Sequence, residues 1–212
     1  MRKLSFTDRL LEELQHGLAT SHLRPATTTR AYPADGAEQG ELSTQELARV
    51  AGLMRVNNAG EVAAQGLYRG QSLTARKQAL SAAMNEAAEE ENEHLDWCQQ
   101  RLAELQQPRS LLDGVWYWGS FTIGALAGAA GDRWSLGFVK ETEQQVCRHL
   151  DQHLERLPEQ DQRSRAIIEA MRADELRHAD NAAEAGAAEL PLPVKTAMTL
   201  VSKVMTFTAY RI

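Results

Sequence analysis

Two short strings beyond residue 43 of this 212-residue chain set a carboxylate and an imidazole three positions apart: Glu91-x-x-His94 and Glu175-x-x-His178. On a helix that spacing puts both side chains on one face, where they can hold a cation together. One such string is common in Glu-rich helices. Here each is preceded by a further glutamate, Glu61 lying 30 residues before Glu91 and Glu143 lying 32 before Glu175. With a rise of about 1.5 Å per residue and a short turn, an antiparallel helix pair needs about that separation to return to the same level. Four carboxylates and two imidazoles at one level of a bundle are equipped to bind metal.

The helical seams around these residues support this reading. Apolar residues at spacings of three and four run Leu47, Val50, Met54 toward Glu61 and on to Tyr68, and Leu80, Met84, Ala87 toward Glu91 and His94. Val139, Val146 and Leu150 flank Glu143, and Ile168, Met171 and Ala182 flank Glu175 and His178. Each seam is apolar at its ends and polar in its middle. A carboxylate buried without a partner costs several kcal/mol or takes up a proton. Lys and Arg are largely missing from the seams, so the neutralising charge is expected from solution. Two divalent ions balance Glu61, Glu91, Glu143 and Glu175. One Glu from each of two helices, with Glu-x-x-His from each of the other two, is the ligand pattern of di-iron and di-manganese carboxylate bundles. Glu141 is the rival of Glu143, which is preferred for its seam position and spacing. Glu86, Glu89, Glu90 and Glu93 fall mostly off the seam and are assigned to a solvated face. Of His149 and His153, one is expected to hydrogen-bond behind the ligands and the other to be exposed. His16 and His22 are expected at the surface.

The elements that must position these residues are all helical. Six prolines divide the chain into long blocks rich in Ala, Leu, Glu, Gln and Arg, and period-two β-branched runs are absent, so the fold class is all-α. Residues 5–18 predict a short amphipathic helix opened by a Ser5/Asp8 capping box. Residues 20–42, with Pro25, Thr27, Thr28, Thr29, Pro33, Gly36 and Gly40, predict a linker or disordered stretch. The chain therefore divides into an N-terminal region, 1–42, and a bundle domain, 43–212. Ser43 and Glu46 open a helix of about thirty residues, followed by helices over about 77–106, 135–157 and 159–188. Residues 192–212 form a C-terminal amphipathic block. Residues 114–131 carry no charge and many glycines and aromatics. They barely reach the length of a bilayer span and better fit a dipping or interfacial hairpin-like helix that touches membrane or an apolar ligand, with Trp116, Tyr117 and Trp118 as an interfacial belt; the alternative is a core helix covering the bundle. The net charge of −6, with no basic block, argues against a nucleic-acid partner. Cys98 and Cys147 lack the number and spacing of a disulfide framework and are expected to be buried free thiols. The first residues carry no long apolar run, so no export is expected.

Several strings resemble motifs of the demethoxyubiquinone hydroxylase family: Arg55-Val56-Asn57-Asn58-Ala59-Gly60-Glu61 with Tyr68 and Gly70, Glu91-Asn92-Glu93-His94-Leu95, Glu141-Thr142-Glu143, and Asp174-Glu175-Leu176-Arg177-His178-Ala179-Asp180. They occur in the family's order, from about residue 50 to the end. Many members carry His where this chain has Asn58, a position outside the expected ligand set. The resemblance implies a ferritin-like four-helix bundle with one iron held by Glu61 and His94, the other by Glu143 and His178, and Glu91 and Glu175 bridging them. It implies two Fe ions per chain and a monooxygenase that hydroxylates the ring of a polyprenyl methoxy-methyl-benzoquinol with O₂ in ubiquinone biosynthesis. Carboxylate-rich ligation suits iron cycling between ferrous and ferric states. Glu91 and Glu175 are then the catalytic carboxylates, and His149, about two turns beyond Glu143, is a candidate to orient a ligand or relay protons and electrons. A reductant is required. The family's habit implies a peripheral enzyme on the cytoplasmic face of the cell membrane, as a homo-oligomer or within a ubiquinone-biosynthesis complex. The alternative function is ferritin-like iron storage or peroxide detoxification.

Overall fold

The computed structural model describes residues 5–23, 25 and 30–212. Residues 1–4 and the threonine run at 27–29 lie outside them. The described residues form seven helices: α1 (Phe6–His22), α2 (Thr44–Thr74), α3 (Gln78–Glu104), α4 (Asp113–Ala130), α5 (Asp132–Arg156), α6 (Gln162–Glu184) and α7 (Leu192–Ala209). The only β pairing among the described residues is an isolated bridge between Gln39 and Asp161, so the all-α expectation holds.

Both capping boxes form. The Ser43 amide donates to Glu46 Oε2 at 2.9 Å while the Glu46 amide donates to Ser43 Oγ at 3.3 Å, satisfying two amide donors that the first turn leaves open. Ser5 and Asp8 do the same for α1, which runs on to His22 instead of stopping near residue 18. Pro158 stops α5, and Pro191 caps α7.

The helices α2, α3, α5 and α6 make a four-helix bundle of two hairpins, α2–α3 and α5–α6, linked by α4. Two apolar clusters occupy its ends. One gathers Leu53, Met54, Trp97, Leu102, Leu150, Ile168 and Met171, and the other Ala64, Tyr68, Met84, Leu136, Val139 and Ala182. Following the chain, α2 and α6 run from the first cluster to the second, and α3 and α5 run back. The polar middle of each seam therefore falls at one level.

Residues 30–42 pack onto this bundle. Ala34 is fully buried in the first cluster, with Tyr32 and Leu42 against it. Arg30 lies 4.8 Å over the Trp97 ring and bonds Asp174 at 2.7 Å.

The uncharged segment is one continuous helix, α4, not a hairpin, and its aromatics do not form an exposed belt. Tyr117 is buried with Val62 and Leu95, Trp118 and Phe121 pack on it, and Trp116 packs beside Val56, Ala59 and Ala209. The large apolar residues that α4 presents to solvent are instead Val115, Ile123 and Leu126. No helix among the described residues is long and apolar enough to cross a membrane.

Glycine explains how α4 lies so close to α2. A Cβ on Gly70 would stand 2.1 Å from the Phe121 carbonyl oxygen, and one on Gly124 the same distance from that of Leu67. Gly70→Ala or Gly124→Ala should therefore force the helices apart and cost about 1–3 kcal/mol. Gly119→Ala, with open space around the new Cβ, should stabilise by about 0.5–1 kcal/mol through helix propensity. Urea denaturation of the three variants checks the contrast, and equal effects at all three positions would contradict the packing argument.

Candidate metal centre

The structure brings all six expected ligand residues together. Glu61 comes from α2, Glu91 and His94 from α3, Glu143 from α5, and Glu175 and His178 from α6. Each is at least nine-tenths buried. Their donor atoms fall into two overlapping groups, Glu61–Glu91–His94–Glu175 and Glu91–Glu143–Glu175–His178, each with all its donors within 4.8 Å of one another. Glu91 and Glu175 belong to both.

The two imidazoles are held alike. His94 turns Nδ1 inward, 3.0 Å from Glu91 Oε2, 3.2 Å from Glu175 Oε1 and 3.7 Å from Glu61 Oε2. Its Nε2 donates outward to Asp174 Oδ2 at 3.0 Å. His178 Nδ1 lies 3.3 Å from Glu91 Oε1 and 3.5 Å from Glu175 Oε2, while its Nε2 donates to Glu90 Oε2 at 2.5 Å. An outer carboxylate on the far ring nitrogen fixes the tautomer and raises the basicity of the inner one, as behind metal-bound histidines. The arrangement is crossed: Asp174 of α6 orients His94 of α3, and Glu90 of α3 orients His178 of α6. Asp174 is itself gripped by Arg30 and by Arg177, both at 2.7 Å.

Neither Glu90 nor Asp174 was expected here, since Glu90 had been assigned to a solvated face. The sequence does carry a signal for them. Each Glu-x-x-His is immediately preceded by an acid, Glu90 before Glu91 and Asp174 before Glu175, and that position faces the neighbouring helix.

The cluster fits a cation better than it fits itself. Glu91 Oε1, Glu175 Oε2 and His178 Nδ1 are buried without any hydrogen-bond partner, and all three point at one another. Burial pushes the Glu61 and Glu143 carboxyls well above their usual range, and the charges of Glu91 and Glu175 add to the rise. His94 and His178 are pushed up despite their burial, by Asp174 and Glu175 for His94 and by Glu175 and Glu91 for His178, which reaches about 12. Tyr68, fully buried, donates its hydroxyl to Glu143.

The rival glutamate takes a different place. Glu141 pairs with Arg148 at 3.4 Å and Lys195 at 3.5 Å, away from the cluster that holds Glu143. His149 stands outside both ligand groups and bonds Ser202 of α7 at 2.9 Å through Nε2. Burial, helped by Arg148, lowers its pKa. His153 is not exposed: it is buried and bonds Asn57 Oδ1 at 2.7 Å. Burial, with the charges of His149 and Arg156, pushes its pKa down to about 3. Asn58 donates to Asp113 Oδ2 at 3.2 Å, outside the ligand groups. Both cysteines are free, Cys98 buried and Cys147 half-buried.

An apolar cavity of about 340 Å³ reaches the cluster at Glu61. Its walls are Ala64 and Leu67 of α2, Ile123 of α4, Phe138 and Val146 of α5, and Met198 and Val201 of α7, with His149 and Ser202 among them.

Comparison with known proteins adds to this geometry. The family described as "Ubiquinone biosynthesis protein COQ7" matches residues 48–209. The chain is similar to the 3-demethoxyubiquinol 3-hydroxylase of Nitrosococcus oceani, 56% identical over 209 residues that cover 99% of this chain and 98% of the relative. It is 52% identical to the protein of the same name from Chromobacterium violaceum over 97% of this chain and 99% of that one. The likeness to the one from Legionella pneumophila is 52% over the full length of both. The chain belongs to the COQ7 family of ubiquinone biosynthesis proteins.

Proposed function

We propose that this protein is a 3-demethoxyubiquinol 3-hydroxylase, a di-iron monooxygenase that uses O₂ to hydroxylate the ring of a polyprenyl methoxy-methyl-benzoquinol. The carrying observation is the pair of buried ligand groups that share Glu91 and Glu175, opening at Glu61 onto an apolar cavity. The hard, carboxylate-rich donor set with one imidazole per metal suits iron. Glu61 and His94 would hold one ion, Glu143 and His178 the other, and Glu91 and Glu175 would lie between them. When bound, the irons supply reductive activation of O₂. One oxygen atom enters the ring and the other leaves as water, with two electrons from an external reductant and two protons.

The remaining work belongs to the protein. Glu90 and Asp174 keep Nδ1 of each imidazole turned inward, and Tyr68 holds one oxygen of Glu143. The cavity excludes water and aligns the ring against the Glu61 side of the centre. His149, whose pKa burial lowers and whose Nε2 is tied to Ser202, is placed on the cavity wall to hold or move a proton at a ring hydroxyl. A cavity shaped for an organic molecule favours this reading over iron storage, which needs no such space. A long isoprenoid tail must be drawn from a bilayer. Peripheral membrane association is supported by the exposed apolar residues of the helices around the cavity, Leu126 on α4 and Leu200, Val204 and Phe207 on α7, with Leu11 and Leu18 on α1.

Three outcomes are expected. With ¹⁸O₂ and the demethoxyquinol, the iron-loaded protein should place one labelled oxygen in the product, and Glu91→Ala or Glu175→Ala should abolish this; turnover retained in either variant would sink the shared-ligand assignment. Glu90→Gln and Asp174→Asn should each weaken iron affinity by about 10–100-fold, measured by chelator competition, and unchanged affinity would remove the outer carboxylates from the argument. Leu126→Glu with Leu200→Glu should reduce turnover of a long-tailed quinol in vesicles while sparing a short-tailed analogue in solution. Equal effects on both substrates would count against membrane docking through these faces.

A further inference from the structure

A second cavity, of about 290 Å³, reaches the same centre from the side of α3 and α6. Its inner end is formed by His178, Tyr68 and Glu90, and Glu86 stands on its exposed rim. It differs from the apolar cavity in charge. Two carboxylates line it and no Lys or Arg does, whereas the apolar cavity has Glu61 as its only acid. Glu86 has no ion-pair partner among the described residues, while Glu90 is shared between His178 at 2.5 Å and Arg177 at 3.6 Å. His178 is 7% exposed, and its Nδ1 has no hydrogen-bond partner. Alanines, among them Ala83 and Ala185, line the rest of it with Leu80, Met84, Leu136 and Val139.

We infer that this second cavity is the route by which divalent metal ions reach the centre. Glu86 captures the hydrated ion at the rim, and Glu90 passes it to His178 and the shared glutamates. The physical ground is the cost of dehydration. A hydrated divalent ion yields its water only where oxygen ligands replace it, and an apolar wall offers none, so moving the ion along one leaves a charge in a medium that cannot solvate it. The carboxylates at the rim and at the inner end of the second cavity replace part of the lost water where the ion enters and where it leaves. The two cavities then divide the traffic, organic substrate on the Glu61 side and inorganic cofactor on the His178 side. The inference rests on the metal-centre reading above.

Its test is the rate of metal uptake by the metal-stripped full-length protein, followed anaerobically with Co²⁺ through its visible absorption, with the final stoichiometry measured separately. Glu86→Gln should slow loading about 3–10-fold at low ionic strength, an effect that shrinks as salt screens the rim, while two Co²⁺ per chain are still bound at the end point. Glu86→Asp should restore most of the rate. Ala83→Trp combined with Ala185→Trp, both at exposed positions, should slow loading at every salt concentration. Ala63→Phe, which narrows the apolar cavity, should leave it unchanged. Native rates in both Glu86→Gln and the tryptophan pair, or slowing by Ala63→Phe alone, would overturn the route. Failure of the native protein to bind two Co²⁺ would instead overturn the metal centre itself, and the route with it.

Discussion

Four carboxylates share the interior of one small bundle, and nearly every other feature follows from having to keep them there. Like charges at such distances repel, and burial removes the water that would soften the repulsion. The core must be tight on both sides of the charged layer to hold it in place. That is how the apolar residues are distributed, with Leu53, Met54, Ile168 and Met171 at one end and Tyr68, Met84, Val139 and Ala182 at the other. Neither cluster could be traded for polar packing without opening the layer to solvent. The long, uninterrupted helices serve the same end, since only a rigid backbone holds six donors from four elements in register.

Outside the charged layer, a second set of interactions gives it direction. Arg30 and Arg177 fix Asp174, Asp174 fixes His94, and Glu90 fixes His178, so the inward orientation of each ring is set from the surface. The segment before the bundle contributes to this, because Arg30 also lies over Trp97 of the core. On the Glu61 side, α4 and α7 add the walls that the four bundle helices lack. The glycine contacts of α2 and α4 bring the α4 wall close, and the Ser202–His149 bond ties α7 to α5.

The bundle and the cluster of candidate ligands were legible in the sequence because helical periodicity is local and these residues fall on it. The offsets from Glu61 to Glu91 and from Glu143 to Glu175 encode the return of an antiparallel helix, so two one-dimensional spacings report a three-dimensional level. Glu143 and Glu141 were separable by seam position for the same reason. What escaped was what depends on contacts distant in sequence. Glu90 lies off its own seam and gains its role only from His178, 88 positions away. Residues 30–42 have no periodicity, yet Ala34 and Tyr32 find places against the bundle. Tyr117 looked suited to a membrane interface by composition, but the absence of side chains at Gly66 and Gly70 of α2 makes room for its helix, and it becomes core.

The crossed support of the two histidines makes the centre a clasp between halves of the molecule. The hairpin α2–α3 carries Glu61, Glu91 and His94 but lacks the acid that orients His94; the hairpin α5–α6 carries Glu143, Glu175 and His178 but lacks the acid that orients His178. Neither hairpin alone possesses a finished ligand group, and each group takes its shared glutamates from both. A metal ion would therefore find no complete nest until the hairpins had docked, and its binding energy would fall on the seam between them, not within either one. Docking of the hairpins and loading of an ion would thus be coupled, since each would stabilise the other.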